Sequence, residues 1–157
     1  MTDRQPTADF DPRDRAAYGH WARDIVRYSD QDPVGHVNNN AFAVYFETGR
    51  LSFFRDSGFR EGLPDSVSGV VRRMEIEWLA ELLFPNEVEI GTRLVHLGTT
   101  SFTYRQAIFV GPVCHAIALT TTVAFDMVTR GKVPLGEAER AALIRTGVPG
   151  PDRGGPA

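Results

Sequence analysis

Asp30-Gln31-Asp32-Pro33-Val34-Gly35-His36-Val37-Asn38-Asn39-Asn40 is the densest polar run of the chain. It separates an apolar segment from a long run with helical spacing. Pro33 and Gly35 break regular structure, so Asp30 to Gly35 reads as a loop. Asn is a favoured N-cap, so a helix is expected to begin near Asn38 or Asn39. Gly58 supplies the stop, which gives a helix ending near Ser57. Phe42, Phe46, Gly49 and Phe53 recur on one face at helical spacing, flanked by Tyr45. Val44, Leu51 and Phe54 make a second face apolar as well, so other structure is expected to wrap the helix.

Upstream, His20 to Tyr28 carries Trp21, Ile25, Val26 and Tyr28 and suits a first strand. Downstream of Gly62-Leu63-Pro64 the periodicity changes to two. Met74, Ile76 and Trp78 alternate with Arg73, Glu75 and Glu77, and Val88, Ile90 and Leu94 alternate with Glu87, Glu89 and Arg93. Phe102 to Val110 and a last long segment through Ile117, Leu119, Thr121, Val123 and Phe125 complete four strands. Short turn signals between them point to antiparallel neighbours. A short helix is expected over 137–144. One strand, one long apolar helix and four strands pack economically as an α+β domain, a single antiparallel sheet wrapped around one central helix. A second copy of the chain is expected to cover what the sheet leaves of the helix.

The 157 residues favour one domain, expected over 19–146. Residues 1–18 carry Pro6, Pro12 and many charges and read as a flexible leader. Residues 147–157 hold four Gly and three Pro and read as a disordered tail. Apolar residues at 42% and charged residues at 24% are ordinary for a globular chain. The net charge of −3 and the lack of a basic run argue against nucleic acid as a partner. No stretch approaches the roughly 20 apolar residues of a membrane span, and no signal peptide is visible. The single cysteine, Cys114, precludes an intrachain disulfide, and the expected location is cytoplasmic.

The polar run has a chemical meaning. A helix's first turn offers free N–H groups and a partial positive charge, suited to an oxygen that becomes an oxyanion. A carboxylate just upstream, Asp32, can attack a carbonyl or activate a water there. Gly35 permits a close backbone approach. The same Asp and Asn residues also serve as ordinary caps and turn formers, and local physics alone does not choose between the two readings.

Asp30-x-Asp32-Pro33-x-Gly35-His36-Val37-Asn38-Asn39-x-x-Phe42, with Phe46-Glu47-x-x-Arg50 downstream, resembles the 4-hydroxybenzoyl-CoA thioesterase-like branch of the hotdog superfamily, over about residues 20–135. The resemblance implies a hotdog fold and hydrolysis of an acyl-CoA thioester. It makes Asp32 the catalytic carboxylate, the backbone N–H of Asn39 the thioester clamp, and His36 and Asn38 side chains placed near the reacting group. Gly35, Val37 and Phe42 are expected to line the substrate. Phe42 stands where a Tyr is common, which keeps the ring and loses the hydroxyl. Thr100 and Ser101 match a stretch near the thioester or pantetheine arm, though a plain polar turn accounts for them equally. Arg130, Lys132 and Arg72 are candidates for CoA phosphates, against solvated turn positions. The resemblance further implies a homodimer or homotetramer with its site at the subunit interface. No cofactor is expected beyond the coenzyme A of the substrate.

Other readings stay in view. Asp30 reads as structural, ending the strand and shaping the loop. Glu47 and Arg50 have the spacing of an ion pair, while a helix glutamate serves as base in another hotdog branch. Cys114 lacks an adjacent base and reads as a small buried group. His20, His36, His96 and His115 show no metal-ligand spacing. The rival functions are a carrier-protein thioesterase, a hotdog enoyl-CoA hydratase and a non-catalytic acyl-CoA-binding protein. Phe42, Tyr45, Phe46 and Phe53 suit aryl or medium-length acyl groups, or are simply core.

Overall fold

A computed structural model describes residues 10–149. The main elements follow the expected order: β1 (His20–Ile25), α1 (Asn39–Ser57), β2 (Val67–Trp78), β3 (Glu87–Leu97), β4 (Ser101–Val110) and β5 (Val113–Asp126), closed by a short β6 (Gly131–Lys132) and α2 (Glu137–Gly147). The sheet is antiparallel throughout, in the order β1-β3-β4-β5-β2, with β6 pairing to β5. It curls around α1, giving the α+β hotdog arrangement.

The ends of α1 follow from local chemistry. Asn38 sits outside the helix at φ −60°, ψ 140°, and its side-chain oxygen accepts the Asn40 N–H at 2.9 Å. At the other end Gly58 takes a left-handed φ of 70°, which L side chains rarely adopt. Between them α1 presents two apolar groups to the sheet. Phe42, Tyr45 and Phe46 pack with Val88, Ile90, Ile108, Ala116 and Ala118. Phe53 and Phe54 pack with Phe59, Leu94, Phe102, Tyr104 and Leu143 of α2. Each such side chain removed from water contributes about 1.5–3 kcal/mol.

At Gly49 the helix comes so close to the sheet that a Cβ would lie 2.5 Å from Ile90 Cγ2 and 2.8 Å from Gln106 Nε2. Buried Gln106 fastens this point, donating to the Phe46 carbonyl at 3.1 Å and to Thr92 Oγ1 at 3.2 Å. Of the second apolar face of α1, Phe54 is buried within one chain while Val44 and Leu51 remain exposed.

Part of the leader differs from the expectation. Residues 10–18 lie folded against the convex face of the sheet. Tyr18 is fully buried there, with Phe10, Trp21 and Phe109 edge-on to its ring, and Arg15 stacks over Trp21 at 4.5 Å. Gly91 makes room, since a Cβ on it would stand 2.6 Å from the Tyr18 ring. Phe10 and Tyr18 bury enough ring surface to order a segment whose charges and prolines read as loose. Gly147, at the start of the expected tail, ends α2 against Leu94 and Phe53. Residues 1–9 and 150–157 of the leader and tail lie outside the described residues.

β1 and α1 are also joined by charge. Buried His20 Nε2 is 2.9 Å from Asp56 Oδ2, and Ser52 and Arg55 also donate to that carboxylate. These contacts, His20 first, lower the Asp56 carboxyl from 3.8 to about 2. A depressed carboxyl contributes stability that is present above its unfolded value and lost as pH falls through the folded one. Asp56 is 41% exposed, so solvent screens the effect and keeps it small. Urea midpoints are therefore expected to fall more steeply between about pH 4 and pH 2 in the wild type than in Asp56→Asn. Parallel acid profiles would show that the contact contributes nothing.

Candidate active site

The loop before α1 is built from its own acids. Asp30 Oδ2 accepts the Tyr45 hydroxyl at 2.6 Å and the Arg27 N–H at 2.8 Å, and the Asp30 carbonyl accepts the Asn38 N–H at 2.8 Å. Asp30 is thus the strut expected of it, tying the loop's beginning to its end and to the helix. Burial, then the Asp30 contact, raises the Tyr45 pKa well above the usual phenol range and keeps the hydroxyl protonated as a donor.

Asp32 stands at the turn. Its Oδ1 accepts the Val34 N–H at 2.9 Å and the His36 N–H at 3.2 Å, while its N–H donates to the His36 carbonyl at 2.8 Å. Gly35, at φ 89°, closes this turn and donates to the Asp32 carbonyl at 3.1 Å. One carboxylate oxygen is therefore tethered. Oδ2 has no hydrogen bond among the described residues.

Asp32 lines a cleft of about 310 Å³ together with His36, Val37, Asn39, Phe42 and the segment Trp78 to Leu82. The far wall is fixed to the loop by the Val37 N–H, which donates to the Leu82 carbonyl at 2.8 Å. The Asn39 N–H is the first of α1 and has no acceptor among the described residues, so the cleft holds a free carboxylate oxygen and a free helix N-terminal donor. His36 Nε2 lies 2.9 Å from Glu81 Oε2, with both side chains partly in solvent.

The expected site residues divide. Asp32, His36, Val37, Asn39 and Phe42 come together in this cleft, while Gly35 shapes the turn and is not part of the lining. Asn38 caps the helix through its side-chain oxygen and is not part of the lining. Thr100 and Ser101 lie at the β3–β4 turn, and Arg130 and Lys132 at the β5–β6 turn. Both turns meet the Val67 end of β2, because Ser101 pairs with Val123 and Asp126 pairs with Val67 and Gly131. The cleft is at the Trp78 end, ~37 Å along the strand at 3.4 Å per residue. Arg72 is the extra residue of a bulge in the middle of β2. Within one chain none of these five joins Asp32.

Glu81 was missed in the sequence because it belongs to no local pattern and reaches His36 only through the sheet. Glu47 and Arg50 form a loose pair at 3.8 Å on α1, and neither lines the cleft. Burial raises the Cys114 thiol to about 11, which suits an inert side chain. Among the described residues no three metal-ligating side chains come together, and no helix is long and apolar enough to cross a membrane.

Comparison with known proteins is consistent with this geometry. Residues 26–143 match the thioesterase-like superfamily. The acyl-CoA thioester hydrolase YbgC of Escherichia coli O6:H1 is 28% identical over 85 residues, covering 53% of this chain and 63% of that protein. The uncharacterised protein YsmA of Bacillus subtilis strain 168 is 25% identical over 89 residues, 57% of this chain and 60% of that protein. The chain thus spans less than two thirds of the length of these curated relatives. Among solved structures, a thioesterase from Thermus thermophilus in complex with coenzyme A and Zn superposes with a TM-score of 0.70 at 31% identity, covering 82% of this chain and 93% of that one. A thioesterase superfamily protein from Jannaschia sp. CCS1 superposes with a TM-score of 0.73 at 29% identity, covering 82% and 83%. With more than half its length matched and its fold shared, the chain belongs to the thioesterase-like superfamily.

Proposed function

We propose that the protein hydrolyses the thioester of an acyl-CoA to a carboxylic acid and free CoA, with Asp32 and the N-terminus of α1 as the reacting groups. The observation that carries this reading is one cleft holding both the untethered Oδ2 of Asp32 and the unpaired N–H of Asn39. In such a site the Asn39 N–H polarises the thioester carbonyl and stabilises the oxyanion. Asp32 Oδ2 either takes a proton from the attacking water or attacks the carbonyl itself. In the first case the water oxygen bonds to carbon, the C–S bond breaks, and the sulfur leaves as thiolate and is protonated. In the second, a mixed anhydride forms as the thiolate leaves, and water then cleaves it and regenerates the carboxylate. Phe42, Val37, Trp78 and Leu82 offer the apolar wall for the acyl chain.

The functional unit in this reading is a homodimer. β2 is an edge strand of twelve residues with one side unpaired, a surface that proteins cover or pair. Two β2 strands running antiparallel about a two-fold axis bring the Val67 end of one sheet beside the Trp78 end of the other. That places the turns bearing Thr100, Ser101, Arg130 and Lys132 of the second copy next to this copy's cleft, where cations meet CoA phosphates. It also offers cover for Val44 and Leu51.

The test is a panel of short, medium, long and aromatic acyl groups presented as CoA and as carrier-protein thioesters, with free thiol and acid both measured. One thiol per acid is expected from CoA thioesters. Hydration of crotonyl-CoA without thiol release, or cleavage of carrier-protein thioesters alone, would overturn the proposal. Sedimentation is expected to give at least twice the chain mass of 17.4 kDa.

A further inference from the structure

Glu81 has no place in the reaction as drawn above, yet it is held more firmly than an exposed acid requires. Its carbonyl is 2.8 Å from His115 Nδ1. The N–H groups of Leu79 and Ala80 donate to the His115 carbonyl at 2.8 and 3.2 Å, and the Leu82 carbonyl accepts from Val37. The segment is thus bound to β5 on one side and to the Asp32 loop on the other. Its carboxylate ends 2.9 Å from His36 Nε2, inside the cleft that Asp32 lines.

The 2.9 Å approach sets the carboxylate beside the Nε2 edge of the ring. The other ring nitrogen, Nδ1, has no partner among the described residues. We propose that Glu81 is a positioning residue: its carboxylate, beside Nε2, holds the His36 imidazole in one rotamer and thereby leaves Nδ1 as the nitrogen available to substrate or water. This rests on the thioesterase reading for its catalytic consequence, but not for the ring's orientation. An exposed ion pair contributes little to stability, which suits a role in orientation rather than in folding. The arrangement parallels metal sites, where a carboxylate behind a histidine fixes its direction.

Two measurements test it. The first is a double-mutant cycle on the preferred thioester with Glu81→Ala, His36→Ala and the pair. Glu81→Ala is expected to lower kcat about tenfold with little change in KM, on the scale of lost orienting partners. In the His36→Ala background the same change is expected to cost less than about twofold, because a residue acting through His36 has nothing left to act on. Glu81→Gln, which keeps the shape and an oxygen beside Nε2, is expected to recover most of the loss. Equal costs in both backgrounds, or no cost in the wild type, would overturn the proposal. The second measurement needs no activity: three-bond couplings of labelled His36 are expected to report a single χ1 rotamer in the wild type and averaging in Glu81→Ala. An equally fixed ring in the variant would overturn the proposal even if hydrolysis is confirmed. A fixed ring that loosens, in a protein that releases no thiol, would instead overturn the thioesterase reading and leave the His36–Glu81 pair standing.

Discussion

Asp32→Asn is expected to lower kcat by about a hundredfold or more, the range associated with loss of a general base or nucleophile. The substitution is close to isosteric, and the reason for choosing it lies in the loop. An asparagine Oδ1 still accepts the Val34 and His36 N–H bonds that tether Asp32. The turn closed by Gly35 and the bridge to Leu82 therefore remain, and KM and the unfolding midpoint are expected to change little. What is lost is the charge and basicity of the second oxygen. Steady-state thiol release, with thermal unfolding as the control, separates this from a folding defect. A variant that keeps near-full activity would leave Asp32 as a turn former only.

Asp30→Ala is expected to act in the opposite way, on stability first. Two acids two residues apart do different work because Asp30 ties the loop to the helix through Tyr45, whereas Asp32 tethers only its own turn. Removing the Asp30 side chain strands the hydroxyl of fully buried Tyr45 and the N–H of Arg27, both of which donate to it. Hydrogen bonds to a charged group contribute about 1.5–3 kcal/mol each, and an unsatisfied buried donor adds its desolvation cost. A loss of about 3 kcal/mol in urea unfolding is expected on that scale. Activity should fall with it, because the strut that sets where Asp32 stands relative to the start of α1 is gone. Tyr45→Phe, which leaves Asp30 its Arg27 N–H, is expected to cost less. A stable Asp30→Ala protein would mean that backbone contacts, Val37 to Leu82 and Asn38 to the Asp30 carbonyl among them, hold the β1–α1 connection without the carboxylate.

What the sequence made legible is local. The Asn-rich start and the Gly58 stop of α1 lie within a residue of where they were expected, since capping is decided by groups two or three residues apart. The strands were legible because apolar residues recur with period two, although in β5 small Ala116 and Ala118 pack with α1 while Ile117 lies on the other face with Tyr18. Asp32, His36 and Asn39 line one cleft for a local reason: they lie within eight residues of one another.

The opposite wall was not legible. Glu81 comes from just past the end of β2, and nothing near it in sequence marks it as a partner for His36. Thr100, Ser101, Arg130 and Lys132 were candidates by residue type, but the sheet carries them to its far end. In the proposed dimer a second copy would return them to an Asp32 cleft. Asn38 was expected near the reacting group and also as a possible cap. Its oxygen serves the cap, the outcome that helix-end chemistry favours. The leader was misjudged in part because its charges and prolines outnumber Phe10 and Tyr18, whose value depends on a sheet face assembled from distant strands.

Whether this cleft breaks a thioester is decided by mixing the purified full chain with acyl-CoA substrates of graded chain length and following free thiol. Catalytic turnover is expected on at least one of them, with one thiol per carboxylic acid formed, and its loss is expected in Asp32→Asn. Tight binding of acyl-CoA with no thiol released from any member of the series would contradict the proposed hydrolysis.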